Sequence, residues 1–329
     1  MTGHVLGFDV GGTGVRGSLG RLTATGVERV ATHRHPTPVR MGPDGVDAAS
    51  VLRAVTETAV ALLPSGATAE ATVIGCTGAT LLGDALRREL PGLGFGGRLL
   101  LCSDVLTSYV GALGLGGGAV VAAGTGAVAL GSDGRGAWQR ADGYGVLLGD
   151  VGGGAWIGRA AVGAALRARD GRPGGSAALL AALHDRYGDP RSLVHAVTTR
   201  AERGALLASF APDVAALAAT DRIAHRILRA AGRHLADTLL AALPPGAPPV
   251  VAATGNLLRA GPPLTTALTR RVAARAPHLA LRTVLDTSID GAVTLAAAVV
   301  RDAPPPGAEI TELTPAGTAP GSRPTPTAV

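Results

Sequence analysis

The chain has 329 residues, enough for about two domains of ~150 residues each. Apolar residues make up 47% and charged residues 16%, which supports a buried core and excludes a mainly disordered or fibrous chain. The formal net charge is +6, and all 30 basic residues are arginine. Chemistry that needs a lysine is therefore excluded: P-loop NTPases, protein kinases, and Schiff-base or pyridoxal enzymes.

Three strands are expected first, at 5–10, 14–22 and 27–33, each short, apolar and bounded by turn residues. A helix follows over 46–63, stopped by Pro64. A buried strand is expected at 71–75, a short helix at 84–90, a strand at 99–102 and a helix over 105–113. A second series then begins, with strands at 119–123, 126–131 and 143–148. Helical patterning covers 156–169 and 213–243. A late strand is expected at 250–253 and a last helix at 289–301. Alternating strands and helices argue an α/β layered fold. The stretch 303–329, rich in Pro, Gly and Thr, is expected to be a disordered tail.

The two series share a device. Gly11-Gly12-Thr13-Gly14 follows one apolar strand and Gly124-Thr125-Gly126 follows another, each between two strands. This weak repeat suggests duplicated halves with a cleft between them. Gly12-Thr13-Gly14-Val15-Arg16-Gly17 matches the spacing GxGxxG, but a dinucleotide loop must open a helix. The residues that follow, Ser18 to Gly26, are poor helix formers, so the loop reads as a hairpin.

Asp9 closes the first strand just before those glycines. A carboxylate there is costly unless it is paired or near a metal. The glycine amides and the Thr13 hydroxyl form a cradle suited to phosphate, with Asp9 beside it to hold a hydrated Mg²⁺. The alternative is a tight hairpin turn with Asp9 as its cap. Gly124, Thr125 and Gly126 offer a second set of donors. Gly255 and Asn256 end the late strand, as an adenosine contact or a plain strand-to-helix turn. Asp104, at the end of the strand 99–102, is either part of a helix cap with Ser103 or a base that accepts a hydroxyl proton. Asp150, between glycines, is either a ligand contact or a cap for the helix near Trp156.

Phe8-Asp9-Val10-Gly11-Gly12-Thr13 resembles the first phosphate motif of the sugar-kinase, heat-shock-protein and actin superfamily. Cys102-Ser103-Asp104, Ala123-Gly124-Thr125-Gly126 and the run from Gly143-Tyr144-Gly145 through Gly149-Asp150 to Ala155-Trp156-Ile157-Gly158 narrow it. Together they resemble the N-acetylglucosamine kinases and the related BadF/BadG ATPase family. Ala253-Thr254-Gly255-Asn256 looks like the adenosine motif and Ile289-Asp290-Gly291-Ala292 like the start of a closing helix. The resemblance covers roughly residues 4–301. It implies a two-lobed, actin-like (ribonuclease H-like) fold, with lobes 1–113 plus 289–302 and 114–288. It implies ATP and Mg²⁺ as cofactors and phosphorylation of the 6-hydroxyl of an amino sugar, N-acetylglucosamine first. Asp9 would hold Mg²⁺ through water, and Gly11, Gly12, Thr13, Gly124, Thr125 and Gly126 would meet phosphate. Gly255 and Asn256 would sit by the adenosine. Asp104 would be the base, while Thr125, Gly143, Tyr144, Gly145 and Asp150 would line the sugar. Arg16 would serve as a charge clamp.

Two departures fall on the sugar side. The family's glutamate after Gly-Asp is Val151 here, and no asparagine stands at 35–40, where a sugar contact is expected. Glucosamine and N-acetylmuramate therefore stay open as substrates. A radical-enzyme activator would need exposed cysteines to share an iron–sulfur cluster, and Cys76 and Cys102 both fall in or beside apolar strands. A sugar-binding regulator without catalysis is the non-enzymatic alternative. The scattered arginines and 2% aromatic content argue against nucleic acid as a partner. With no long apolar run and no signal peptide, a cytoplasmic homodimer is expected.

Overall fold

The computed structural model describes residues 3–11, 14–37, 41–42, 45–79, 96–200, 202–285 and 288–313. The helix expected at 84–90 lies outside them, as do residues 314–329 of the expected tail. The first sheet opens with a meander, β1 (His4–Gly11), β2 (Gly14–Leu22) and β3 (Val27–Arg34). A two-residue pair, β4 (Met41–Gly42) and β5 (Gly45–Val46), follows. Helix α1 (Ala48–Leu62) comes next, capped by the Asp47 carboxylate, which accepts from the Ala49 and Ser50 amides. Then β6 (Ala69–Cys76) and β7 (Arg98–Ser103) add in parallel beside β1.

The second sheet repeats this plan. After α2 (Asp104–Leu113) come β8 (Gly118–Ala123), β9 (Ala127–Ser132) and β10 (Trp138–Asp142), again a meander. A helical block follows: α3 (Gly154–Arg169), α4 (Ala177–Tyr187), α5 (Pro190–Thr199), α6 (Arg203–Ala208), α7 (Ala211–Leu217) and α8 (Arg222–Ala241). The helix pattern expected over 213–243 is thus broken, because Asp221 caps α8 by accepting from the Ile223 and Ala224 amides. Strand β11 (Val250–Thr254) joins β8 in parallel, and after α9 (Pro262–Arg275) strand β12 (Ala280–Thr283) joins β11. With a last strand, β13 (Ile310–Glu312), the strand orders are β13-β7-β6-β1-β2-β3 and β10-β9-β8-β11-β12. Without the edge strand β13, both halves have the same order, a meander followed by two parallel crossovers.

Packing follows the alternation of strand faces. Leu6, Phe8 and Val10 bury on the α1 side with Val51, Val55 and Ala59. On the other face Val5, Ala71 and Val73 pack with Leu106 and Tyr109 of α2 and with Ala292, Val293 and Leu295 of α10 (Ser288–Val300). Val120 of β8 and Ala252 of β11 join that same core, so α2 lies between the two sheets. Gly291 lets α10 press onto α2, since a Cβ there would strike the Thr107 carbonyl.

Two further sequence expectations are corrected. The third strand of the second series is Trp138–Asp142, not 143–148. Gly143 and Gly145 adopt positive φ and turn the chain, leaving Leu147 and Leu148 exposed. Residues 303–313, expected in a disordered tail, are ordered. Ile310–Glu312 pairs antiparallel with β7, Leu313 is buried, and Arg98 pairs with Glu312. No helix among the described residues is long and apolar enough to cross a membrane.

Candidate functional site

The parallel register lines up the carboxyl ends of β1, β6 and β7. Asp9 faces Gly75, Val10 faces Cys76, and Cys76 faces Ser103. Asp9, Thr77 and Asp104 therefore come to one edge of the sheet, the side where open α/β sheets bind ligands.

Asp9 is mostly buried and pairs with Arg16, whose Nη2 and Nε donate to Oδ2 at 2.7 and 3.2 Å. Arg16 sits opposite Asp9 across the β1–β2 hairpin, so strand register makes the pair. Its Nη2 also donates to Ser288 Oγ of α10 at 3.3 Å. Gly11 and Gly14 pair across the hairpin. Gly12 and Thr13 lie outside the described residues.

Asp104 opens α2. Ser103 occupies the cap position, with no side-chain cap bond, and Asp104 stands in the first turn. Thr77 Oγ1 donates to Asp104 Oδ2 at 2.5 Å. Burial pushes the Asp104 carboxyl up, with the Asp9 charge adding to it, while the Thr77 hydroxyl, the Val105 amide and Arg140 draw it back. A raised carboxylate at the strand-end edge suits a general base.

In the second half, the Gly124 amide donates to the Gly126 carbonyl, so one of the expected phosphate donors is already bonded. The turn is fixed from α3, whose Gly154 and Ala155 amides donate to the Gly124 and Thr125 carbonyls at 2.8 Å. Asp150 lies over this hairpin against Gly126 and accepts from the Ala127 and Gly145 amides. Burial raises its carboxyl, and the Asp142 charge raises it further. The cap of α3 is Gly153, so Asp150 does not cap that helix. Gly143 and Gly145 belong to the same loop, and Tyr144 points into solvent, 73% exposed.

Asp142 escaped the sequence reading. Its Oδ1 accepts from the Gly143 and Asp150 amides at 2.8 and 2.7 Å, and its Oδ2 from Val151 at 2.8 Å. Asp142 and Asp150 both hold positive φ, 62° and 55°. One carboxylate thus shapes the whole 143–151 loop. The sequence signal was an aspartate directly before a Gly-x-Gly.

Gly255 ends β11 beside β8. Its φ is +104° and a Cβ would strike the Ala123 carbonyl, so the second hairpin and the Asn256–Ala260 turn sit side by side. Cys76 and Cys102 are buried, and burial pushes the Cys76 thiol up to about 12 and Cys102 higher. Neither is a thiolate poised for a cluster.

Two sheets of one topology, with glycine hairpins and a carboxylate edge, define a two-lobed actin-like ATPase fold of the ribonuclease H-like type. The sequence matches the BadF/BadG/BcrA/BcrD ATPase family over residues 6–293, and the chain belongs to that family. No curated protein matches it. Among solved structures it is similar to a provisionally assigned N-acetylglucosamine kinase from Chromobacterium violaceum. That match has 26% identity and TM-score 0.67, and covers 89% of this chain and 98% of that one. A second provisionally assigned N-acetylglucosamine kinase, from Porphyromonas gingivalis, matches at 19% identity and TM-score 0.65, covering 88% and 97%. A ROK family glucokinase from Streptomyces griseus, solved with glucose and AMPPNP, matches at 17% identity and TM-score 0.57, covering 91% and 100%.

Proposed function

We propose that the protein is an ATP-dependent sugar kinase that phosphorylates the 6-hydroxyl of an amino sugar, with N-acetylglucosamine the first candidate. The observation that supports this most is the carboxylate edge, where Asp104 stands on the same row of strand ends as the Asp9–Arg16 hairpin. The family membership and the Chromobacterium violaceum relative support the same reading.

In this reading the sugar hydroxyl gives its proton to Asp104 as its oxygen attacks the γ-phosphorus, and the bond from that phosphorus to the β–γ bridging oxygen breaks to leave ADP. Such transfer is mostly positioning and charge stabilisation, so a lysine is not required. Arg16 brings positive charge to the first hairpin, and Gly124, Thr125 and Gly126 present the second. Gly255 and Asn256 border the adenosine, and Thr125, Gly143, Tyr144, Gly145 and Asp150 border the sugar. The Arg16 Nη2 and Nε bonds both land on Asp9 Oδ2, and Asp9 would hold a metal-bound water through Oδ1. Mg²⁺ there would neutralise charge on the phosphates.

The test is ADP release with ATP and Mg²⁺ across N-acetylglucosamine, glucosamine, N-acetylmuramate and glucose. One sugar is expected to drive turnover, and Asp104→Asn to lower kcat by roughly 10²–10⁴-fold, the usual share of a general base. No stimulation by any sugar, or full turnover by Asp104→Asn, overturns the reading.

A further inference from the structure

We infer that Thr77 is a positioning residue for Asp104: its hydroxyl fixes one carboxylate oxygen and leaves the other to meet the incoming hydroxyl. The inference rests on the proposed role of Asp104 as base. It starts from the register. Thr77 is the first residue past β6, and its amide donates to the Val10 carbonyl at 2.9 Å, so its backbone is anchored to β1 next to Asp9. From there its Oγ1 reaches Asp104 Oδ2 at 2.5 Å. An ionised carboxylate only accepts, so the threonine is the donor. Oδ1 has a much weaker neighbour, Ser103 Oγ at 3.4 Å. The two oxygens are thus inequivalent, and Oδ1 is the less tightly held one, left to take a proton. The branched Cβ of threonine narrows χ1, which suits a fixed donor better than a longer side chain.

The same bond tunes the base. Groups from four strands and the helix itself surround Asp104. Asp9 of β1 and burial favour its protonated form. Cys76 of β6 and Cys102 of β7 face it as buried thiols. Arg140 of β10, the Val105 amide of α2 and the Thr77 hydroxyl favour the ionised form. Deleting the hydroxyl removes the closest of the donors that hold the charge.

The experiment compares Thr77→Val, nearly the same shape without a donor, with Thr77→Ser, which keeps it. For Thr77→Val the acid limb of kcat/KM is expected to move up by about one pH unit or more. On the acid limb, activity at a given pH should fall roughly ten- to a hundred-fold, the value of a hydrogen bond to a charged group. The deficit should shrink toward pH 9. Thr77→Ser is expected to return the limb toward the wild-type position. A merely structural role would lower the rate equally at every pH, and that result overturns the proposal.

A second readout needs no turnover. In protein labelled with ¹³C at aspartate Cγ, the Asp104 signal is the one lost in Asp104→Asn. It should titrate at higher pH in Thr77→Val than in wild type and Thr77→Ser. If no sugar is phosphorylated, the kinase reading fails while this titration still decides whether Thr77 controls Asp104. An unchanged titration overturns the inference.

Discussion

The two halves of the molecule share one strand order and differ in what they place at the strand ends. The first hairpin is flanked by charge, Asp9 and Arg16 held together across the register. The second, Gly124-Thr125-Gly126, has no charged side chain of its own and is fixed by backbone donors from α3, with a single carboxylate, Asp150, lying against it. The third strands differ in the same way. β3 runs into His35, whose ring meets Thr37 and Glu57. β10 ends in Asp142, whose carboxylate gathers three amides. Duplication thus set the positions, and each half filled them with different chemistry. In the proposed reading the first half supplies the base and its paired charges, and the second a shaped loop with Asp150 against its hairpin.

The largest way to break this contrast lies at Asp142. Asp142→Ala leaves the Gly143, Asp150 and Val151 amides without their acceptor. Each buried donor left unpaired costs about 1–3 kcal/mol, so the melting temperature should drop by several degrees, at roughly 2–4 °C per kcal/mol. Asp142→Gly separates two causes, since it removes the acceptor but suits the positive φ. A loss in glycine as large as in alanine means that the carboxylate, not backbone freedom, builds the loop. Asp142→Asn keeps an acceptor for two of the amides and is expected to fall between. In the sugar assay these variants should raise KM more than they lower kcat. The opposite split would place Asp142 in the chemistry rather than in the scaffold.

A middle-sized effect is expected from two glycines that the sequence cannot tell apart. Gly255→Ala forces a Cβ against the Ala123 carbonyl at φ +104°, a strain of order 1–3 kcal/mol. Gly124→Ala meets nothing within 4 Å and should leave stability within about 0.5 kcal/mol. Thermal melts of the two variants decide it. If Gly124→Ala keeps its stability but weakens ATP binding, its missing side chain serves the ligand rather than the fold.

Much of this was legible. Strand–glycine–strand spacing located both hairpins because a turn of that size needs glycine whatever surrounds it. Asp9 and Asp104 stood out because a carboxylate ending an apolar run needs a reason. What stayed hidden depends on register or on backbone sign. Thr77 is an ordinary threonine until parallel pairing sets it beside Asp104. Asp142 was missed because Val146, Leu147 and Leu148 read as a strand, while the true strand, Trp138–Asp142, lies at an edge and alternates weakly. The segment 303–313 was missed because its composition is that of a tail. Three residues pairing with β7 and one buried leucine are enough to order it.

The smallest expected effect sharpens the comparison between the third strands. His35 is buried and its ring lies 3.0 Å from the Thr37 carbonyl and 2.9 Å from Glu57 Oε2. As an imidazolium it donates from both nitrogens, whereas in the neutral ring that keeps its Glu57 bond Nδ1 can only accept, from the Thr37 amide at 3.2 Å, and the bond to the Thr37 carbonyl is lost. The Thr37 carbonyl first, and Glu57 after it, raise the histidine above its ordinary value near 6.5. A group with a raised folded value binds its proton more tightly when folded. Its contribution is therefore complete below about pH 6.5 and fades as pH climbs through the higher folded value. Melting temperatures of wild type and His35→Gln should lie furthest apart below pH 6.5 and converge toward pH 8.5. Glu57→Gln should flatten the wild-type trend only partly, because the Thr37 carbonyl remains. A gap that widens with pH would mean the ring is held neutral instead. The first half would then lack the pH response that its histidine gives it over the second.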